Sequence, residues 1–165
     1  MAAGKGGRLE MVRRIAAAAA LVASLIPLVA QAGVDISTKP TQNMSCANGV
    51  CTATARRAVL NVNDLAGMLA TGDLKITTGN GALDIHVKAP FSWANTSRLT
   101  LDAMRAITVE KAVVVAGTGA LTLTTNDGGT GGDYWFPKGG SVTFWDLNSS
   151  LVPICSPIRR RSSQS

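Results

Sequence analysis

The feature that most constrains the fold is a series of four short β-type segments within residues 98–126. They are rich in Val, Ile, Leu and Thr, and three of them alternate apolar with polar residues, as strands with one buried face do. The links between them are too short for the crossover helix of an ordinary parallel α/β sheet, so hairpins or a β-coil remain. The segments are residues 99–102, 107–110, 113–115 and 121–125.

Related segments recur along the chain at a spacing of slightly more than twenty residues. LKIT begins at Leu74, LTLD at Leu99, LTLT at Leu121 and VTFW at Val142, which are 25, 22 and 21 residues apart. Several strands per period of this length are typical of a β-solenoid, in which each coil stacks its strands on those of the next. The spacing therefore predicts an all-β fold, a short β-helix with its coils in residues 74–152.

The first 32 residues have the composition of a cleaved signal peptide. Four basic residues precede an apolar run at 15–29, and Ala30 and Ala32 supply the small-x-small pattern of a cleavage site. We expect a signal-peptide helix, cleavage between Ala32 and Gly33, and a product that is secreted or displayed on the cell surface. An uncleaved membrane anchor is the alternative, but the run is shorter than the roughly 20 apolar residues that span a bilayer.

The net charge of +6 comes from the two ends of the chain. Residues 33–155 contain nine basic and nine acidic side chains, so the body of the protein is neutral. Aromatic residues are 4% of the sequence and scattered, which does not provide a stacking surface for bases. These two observations argue against a nucleic-acid partner.

Residues 33–73 are predicted to form a cap on the N-terminal end of the solenoid. Cys46 and Cys51 flank Asn48 and Gly49, a pair of residues that favours a tight hairpin turn. In an exported protein this spacing indicates a disulfide that closes a small loop. Half of a zinc site and free thiols are the alternatives, although no second Cys or His pair follows. Cys155 has no evident partner.

A short helix is expected to complete this cap. Asn63 and Asp64 precede the apolar run 65–70, and Gly72 follows it, which is the pattern of an N-cap and a C-terminal stop. One or two helical turns here would cover the apolar end and the unpaired strand edges of the first coil. A helix packed on a β-sandwich is the alternative.

The segment around the single histidine, His86, predicts a corner followed by a strand. Residues 79–81, Gly-Asn-Gly, separate two alternating runs; the repeat spacing favours a corner of the solenoid over a hairpin turn. If Leu83, Ile85 and Val87 face the core, then Asp84, His86 and Lys88 face water. A lone histidine on a solvated strand face indicates a surface residue and not a catalytic base.

Residues 128–136, GGTGGDYWF, form the most site-like segment of the sequence. They match one copy of the calcium-binding nonapeptide of β-rolls, with Asp127 and Asp133 as candidate calcium ligands. One copy provides too few oxygens for the six to eight ligands of calcium, so we favour a plain glycine-rich loop and expect no cofactor. The aromatic side chains at 134–136 either stack on carbohydrate, form an interface, or return to the core.

The composition changes abruptly after residue 152. Residues 153–165 contain two prolines and three consecutive arginines, and they show no strand alternation. Proline removes hydrogen-bond donors from a strand ladder. We therefore expect a disordered basic tail, the aberrant C-terminus of a truncated or frameshifted reading of a longer protein.

Long segments of the chain resemble the N-terminal part of large exported bacterial proteins related to filamentous haemagglutinin. The similarity covers about residues 34–152. It implies a right-handed parallel β-helix whose first coils are seen here, in a surface or secreted adhesin that uses an outer-membrane export partner or an autotransporter route. In the family this end serves export and nucleation of folding, whereas adhesion to a host or surface ligand belongs to downstream regions. The segments are DISTKPTQNMSC, NGVCTATA, LNVNDLAGMLATGDLKITTGNGAL, APFSW, SRLTLDA, VAGTGALTLTTNDGGTGGD and FWDLNSSL.

Two other functions are the alternatives to this adhesin-like structural role. A polysaccharide-active β-helix enzyme would require paired carboxylates beside a groove, and only Asp84 and Asp102 are spaced to meet on adjacent coils. A calcium-stabilised binding module would depend on the glycine-rich segment. The acids are otherwise dispersed, so we predict that the chain is not an enzyme. We also expect self-association through the open end of the solenoid.

Overall fold

The computed structural model describes residues 32–129, 131–145 and 150–155, and for 150–155 it describes the backbone only. These residues form fourteen strands and one helix. The elements are β1 (Gly33–Ser37), β2 (Met44–Ala47), β3 (Val50–Ala53), β4 (Arg57–Asn61), α1 (Val62–Thr71), β5 (Leu74–Thr77), β6 (Asp84–Val87), β7 (Phe91–Trp93), β8 (Arg98–Asp102), β9 (Ile107–Val109), β10 (Ala112–Val115), β11 (Ala120–Thr125), β12 (Tyr134–Trp135), β13 (Ser141–Phe144) and β14 (Ser150–Cys155).

The strands form three sheets along the axis of a solenoid. Sheet A has the order β12-β9-β6-β1-β4, sheet B the order β14-β11-β8-β5-β3-β2, and sheet C the order β13-β10-β7. Each coil gives one strand to each sheet: β5 to β7, then β8 to β10, then β11 to β13, with β14 opening the next coil. The chain is thus a β-solenoid of about four coils, which confirms the predicted β-helix.

The leucines of sheet B set the register of the coils. Leu74 pairs with Leu99, Leu99 with Leu121, and Leu121 with Leu151. The first three positions are those that the repeat spacing predicted. The prediction for VTFW was wrong, because Val142 lies in sheet C and pairs with Val113. The third coil is longer than the others because a glycine-rich loop at 126–133 enlarges one of its corners, so the fourth leucine of the stack comes thirty residues after the third.

Alternation along the strands builds a continuous aliphatic core. Leu99, Leu101, Leu121 and Leu123 of β8 and β11 are all buried, with at most 1% of each residue exposed. Side chains of successive coils stack directly because parallel strands in register lie about 4.8 Å apart. Full burial of one such side chain contributes roughly 1.5–3 kcal/mol relative to leaving it in water. This ladder of leucines therefore contributes to stability along the axis, together with the equally buried aliphatic side chains of sheets A and C.

Residues 33–73 combine capping elements with strands of the same sheets as the coils. β2 and β3 form an antiparallel hairpin at the end of sheet B, whereas β1 lies between β4 and β6 in sheet A. The expected boundary at residue 73 consequently does not separate a cap from the coils. Helix α1 packs on β7 and β4 at the N-terminal end of the stack.

The helix of this cap is longer than expected and begins earlier. Its N-cap is Asn61, whose side-chain oxygen accepts a hydrogen bond from the backbone N–H of Asn63 at 2.7 Å. The same side chain donates to the carbonyl oxygens of Thr38 and Lys39, so it also fixes the preceding loop. The prediction of Asn63 and Asp64 as the cap was therefore two residues late, while Gly72 ends the helix as expected.

The Gly-Asn-Gly segment is a corner of the solenoid, as predicted. β5 and β6 on either side of it belong to different sheets. Gly79 has φ +51°, a left-handed conformation that glycine adopts without steric cost, and its N–H donates to Thr77 Oγ1 at 3.1 Å. A Cβ at this position would also lie 2.7 Å from the Thr52 side chain.

The last described strand extends beyond the expected end of the coils at residue 152. β14 pairs in parallel with β11 from Ser150 to Cys155, and Pro153 lies opposite Leu123. Proline is tolerated in this position because β14 is the edge strand of sheet B among the described residues. The predicted tail beyond Cys155 and the predicted signal peptide up to residue 31 lie outside the described residues.

Candidate functional site

The predicted disulfide joins the two strands of the N-terminal hairpin. Cys46 and Cys51 are directly opposite each other in β2 and β3, with an S–S distance of 2.04 Å. The turn between them has Asn48 at φ +51° and Gly49 at φ +74°, as a two-residue hairpin turn requires. Cys51 is fully buried, and its sulfur lies 3.6 Å from that of Met68 on α1. The covalent bond therefore joins the two strands of the hairpin, and the buried Cys51 sulfur contacts the helix.

The predicted cleavage site, Ala32 and Gly33, lies at the start of β1. Ala32 is only 7% exposed, and its carbonyl oxygen accepts hydrogen bonds from the N–H groups of Leu83 and Asp84. Gly33 is buried, and its N–H donates to the Arg56 carbonyl oxygen at 2.8 Å. Both residues are thus part of the folded solenoid.

Asp84 does not face water, which corrects the prediction for this strand. Its side chain is 5% exposed and bonds the guanidinium of Arg105, with an Nε–Oδ1 distance of 2.8 Å. The backbone N–H of Ala106 donates to the same Oδ1 at 3.2 Å. This hydrogen bond to Asp84, together with the attraction of its charge, raises the pKa of Arg105 above its ordinary high value. The alternation of inward and outward side chains along a strand does not reveal an ion pair with a distant residue. The burial of Asp84 was therefore not predicted from the sequence.

Asp84 and Asp102, the two acids expected to meet on adjacent coils, lie in different sheets, and each is paired with a cation of its own. Asp102 ends β8 in sheet B and pairs with Lys75 Nζ at 2.5 Å, whereas Asp84 lies in sheet A with Arg105. Each carboxylate is therefore neutralised by its own cation on a neighbouring coil. In this arrangement each carboxylate links two adjacent coils through an ion pair.

His86 lies on the outer face of sheet A, between Ile85 and Val87, which are both buried. Its side chain is 14% exposed, and Nδ1 lies 3.9 Å from Glu110 Oε1. Lys88 is exposed as expected and pairs with Asp35 of β1 at 2.8 Å. The outer face of sheet A is therefore a row of side chains that connect adjacent strands, and His86 is one member of it.

The calcium candidates, Asp127 and Asp133, are both exposed and lie at opposite ends of the glycine-rich loop. Asp133 Oδ1 accepts a hydrogen bond from the N–H of the next residue, Tyr134, at 2.8 Å. The loop is organised by buried Asn126, which has φ +67° and accepts a hydrogen bond from Gly131 N–H at 2.6 Å. Within the described residues, no group of three or more His, Cys, Asp or Glu side chains is placed to hold a metal ion.

The aromatic side chains of the third coil divide between core and surface. Tyr134 packs against the core, whereas Trp135 is 52% exposed and Phe136 is 40% exposed. Trp145, directly after β13, is 73% exposed. Of the alternatives left open for residues 134–136, return to the core applies to Tyr134, whose ring also contacts that of Phe136 edge to face at a centroid distance of 6.1 Å.

A cleft of about 430 Å³ lies between the hairpin turn and the C-terminal end of α1. Asn48, Val50, Met68 and Asp73 are among the residues that line it. The Asp73 carboxylate accepts a hydrogen bond from Arg98 N–H at 2.8 Å, so this acid holds the first coil to the second.

In the part of the chain that the structure describes, no helix is long and apolar enough to cross a membrane.

Comparisons with known proteins return nothing for this chain: no family model, no curated protein and no solved structure matches it.

Proposed function

We propose that the chain is an exported, adhesin-like structural protein of the cell surface, an N-terminal piece of a filamentous haemagglutinin-like protein. The observation that carries this proposal is the difference between the two ends of the solenoid. The N-terminal end is closed by a disulfide-bonded hairpin and a helix. The outer edges of β12, β13 and β14 pair with no other described strand. This polarity suits a base on which further coils are stacked.

Two further features support a location outside the cytosol. The first is the sequence pattern of residues 1–32, and the second is the disulfide between Cys46 and Cys51, a bond that persists in oxidising compartments. An outer-membrane export partner or a host or surface ligand is the partner that this function implies.

The exposed aromatic side chains are the parts of the described surface best suited to adhesion. Trp135 and Trp145 present large apolar faces to solvent, and such faces stack on sugar rings and on apolar protein surfaces. Both belong to the third coil, at the end opposite the cap. Of the described coils, the third is therefore the one best suited to an adhesive contact, whereas the resemblance assigns the main adhesive regions to segments downstream of these coils.

Fractionation of bacteria that express the full chain tests the export. We expect the wild-type chain in the periplasm, at the cell surface or in the medium, with the leader removed. The Leu25→Arg variant interrupts the apolar run without changing residues 32–165, so it is expected to stay in the cytosol. Equal cytosolic retention of both chains contradicts export. Binding of the purified chain to a glycan array, compared with its Trp135→Ala and Trp145→Ala variants, then tests adhesion.

A further inference from the structure

The cleft beside the N-terminal hairpin has the size of a small-molecule site. Its volume is about 430 Å³, and clefts that hold small ligands measure roughly 300–1,000 Å³. The hairpin turn forms one wall, and the C-terminal end of α1 with the start of β5 forms the other. The Gly49 carbonyl oxygen accepts a hydrogen bond from Lys75 N–H at 2.8 Å, so the turn is held against β5. The two walls are therefore fixed relative to each other.

One acid of this cleft has no cation of its own. Asp73 is exposed, and its Oδ1 accepts a hydrogen bond from the backbone N–H of Arg98. Among the described residues, Asp73 takes part in none of the ion pairs. The basic side chains of the adjoining strands are engaged elsewhere, Lys75 with Asp102 and the Arg98 guanidinium with Thr122 Oγ1. The second oxygen of the Asp73 carboxylate is thus available to a ligand.

The C-terminal end of α1 adds negative potential to the same cleft. The carbonyl groups of a last helical turn carry the negative pole of the helix dipole, which attracts cations. The last turn of α1 contains no basic residue. The carbonyl oxygens of Met68 and Leu69 accept hydrogen bonds from neutral side chains, those of Thr71, Asn95 and Ser97. The helix end and the nearby carboxylate therefore both favour a positive charge.

Other parts of the wall are apolar. Val50 is 39% exposed, Met68 is half-buried against the core, and Leu74 is buried beneath the cleft. A calcium ion takes roughly six to eight oxygen ligands and gains nothing from such surface. An alkyl chain, in contrast, is stabilised when it covers apolar surface and leaves water. The combination of charge and apolar wall favours an organic cation over a metal ion.

We propose that this cleft binds an alkylammonium group, with its charged head at Asp73 and its alkyl stem along Val50 and Met68. A primary ammonium has three N–H donors, so it can bond the available carboxylate oxygen and the carbonyl groups at the helix end together. Lysine carries such a head on a four-carbon stem. The lysine side chain of a partner polypeptide and a free amine are thus the two sources of this ligand. The site is independent of the proposed export and adhesion.

The test follows the amide and methionine-methyl NMR signals of the purified full chain during titration with pentylammonium. We expect the signals of Gly49, Met68 and Asp73 to shift, with a dissociation constant on the order of 1 mM for so small a ligand. Absence of shifts in the cleft at a concentration about 50-fold above this value would overturn the proposal.

Two smaller probes separate the charged head from the stem. Pentanol has the length of pentylammonium without the charge, and methylammonium has the charge without the stem. Each is expected to bind at least about 10-fold more weakly than pentylammonium. Equal binding of pentanol would show an apolar cleft without a cation site, and equal binding of methylammonium would show that the stem makes no contact. Either result overturns the proposal, and neither depends on the folding of a variant.

Two matched substitutions at opposite ends of α1 test the carboxylate. Asp73→Asn removes the charge and keeps an oxygen to accept the Arg98 N–H bond, so the chain is expected to fold and to bind pentylammonium at least about 10-fold more weakly. Asp64→Asn removes an acid from the first turn, where it accepts a hydrogen bond from Thr41 Oγ1, and is expected to change the affinity less than about twofold. Unchanged affinity in Asp73→Asn, or equal losses in both variants, would contradict the assigned site.

Two further probes distinguish the sources of the ligand. Cadaverine represents free amines, and a blocked tripeptide with lysine between two glycines represents a polypeptide. Tighter binding of the tripeptide than of cadaverine supports a partner's lysine, and the reverse order supports a free amine. The same tripeptide with acetylated lysine lacks the charge and is expected to bind at least about 10-fold more weakly than the unmodified one. Equal binding of the two tripeptides would overturn the proposal.

Discussion

Arg105 reaches back one coil and holds the buried carboxylate of Asp84 with two nitrogen atoms of its guanidinium. The two side chains differ greatly in exposure: Asp84 is buried, whereas 41% of the Arg105 side chain is exposed. Removal of the cation would leave a buried carboxylate without its partner, which is more costly than loss of a surface ion pair. The bridge therefore fixes the corner between β8 and β9 to the coil before it.

We predict that Arg105→Ala lowers the free energy of unfolding by about 2–3 kcal/mol. Lys88→Ala is the matched control, because it removes a cation from an exposed pair with Asp35 and is expected to cost less than about 1 kcal/mol. Urea denaturation followed by circular dichroism measures both. Because the pKa of Arg105 is raised in the folded chain, its stabilising charge is fully present at every pH below the ordinary pKa of arginine. The charge is lost only as the pH rises through the raised pKa. The Arg105 side of the bridge therefore does not titrate near neutrality. Equal costs for the two variants would contradict this account of the bridge.

The stacked leucines of sheet B are expected to couple only with their immediate neighbours. Leu99→Ala and Leu121→Ala each remove a buried side chain and are expected to cost about 3 kcal/mol. Their double-mutant cycle is predicted to show a coupling energy of at least about 0.5 kcal/mol, since the two residues are paired on adjacent strands.

The matched cycle combines Leu74→Ala with Leu121→Ala, which lie two coils apart. Their coupling energy is expected to be smaller than that of Leu99 and Leu121, because Leu74 and Leu121 lie roughly 10 Å apart and are linked only through Leu99 between them. Stronger coupling between Leu74 and Leu121 than between Leu99 and Leu121 would show that the register is different.

Reduction of the disulfide between Cys46 and Cys51 is expected to destabilise the cap. A cross-link that closes so short a loop restricts the unfolded chain by roughly 2 kcal/mol. Denaturant unfolding with and without reductant measures this difference. The Cys155→Ala background keeps the third cysteine from exchanging with the pair. Identical transitions under both conditions would show that the hairpin does not depend on the bond.

Calcium is expected to leave the unfolding midpoint unchanged. Asp127 and Asp133 lie at opposite ends of the glycine-rich loop, and the Asp133 carboxylate accepts a hydrogen bond from Tyr134 N–H. Thermal unfolding with millimolar calcium or with a chelator measures this, and Asp133→Asn provides the control. A calcium-dependent rise in midpoint that Asp133→Asn abolishes would restore the loop as a metal site.

The repeat spacing predicted the architecture because burial alternates along each strand and recurs in each coil. Leu74, Leu99 and Leu121 follow that rule. The Cys46–Cys51 pair was predicted on a different ground, the Asn48-Gly49 turn between the two cysteines. Spacing failed at Val142, because the glycine-rich loop lengthens the third coil without changing the local strand pattern. The alternation of apolar and polar residues in VTFW is the same in sheet B and in sheet C. It therefore cannot reveal that the loop before it is longer.

The burial of Asp84, the N-cap at Asn61 and the position of β1 were not predicted from the sequence for a different reason. Asp84 is buried because Arg105, 21 residues later, reaches its side chain, and Asn61 caps the helix because the loop at Thr38 accepts its amide group. Such contacts between distant residues depend on how the strands of adjacent coils pair. The sequence pattern defines this pairing only in part. The position of β1 between β4 and β6 is of the same kind. Self-association through the open end stays a prediction.

Amide hydrogen exchange across β1 tests the central claim most directly. The folded chain is digested at intervals, and deuterium uptake is read by mass spectrometry for peptides that contain residues 34–36. The account predicts that β1 exchanges as slowly as β6 and β9, through near-global unfolding, because it is an interior strand of sheet A. Rapid exchange of β1, as in a fraying terminus, would contradict the fold at this end.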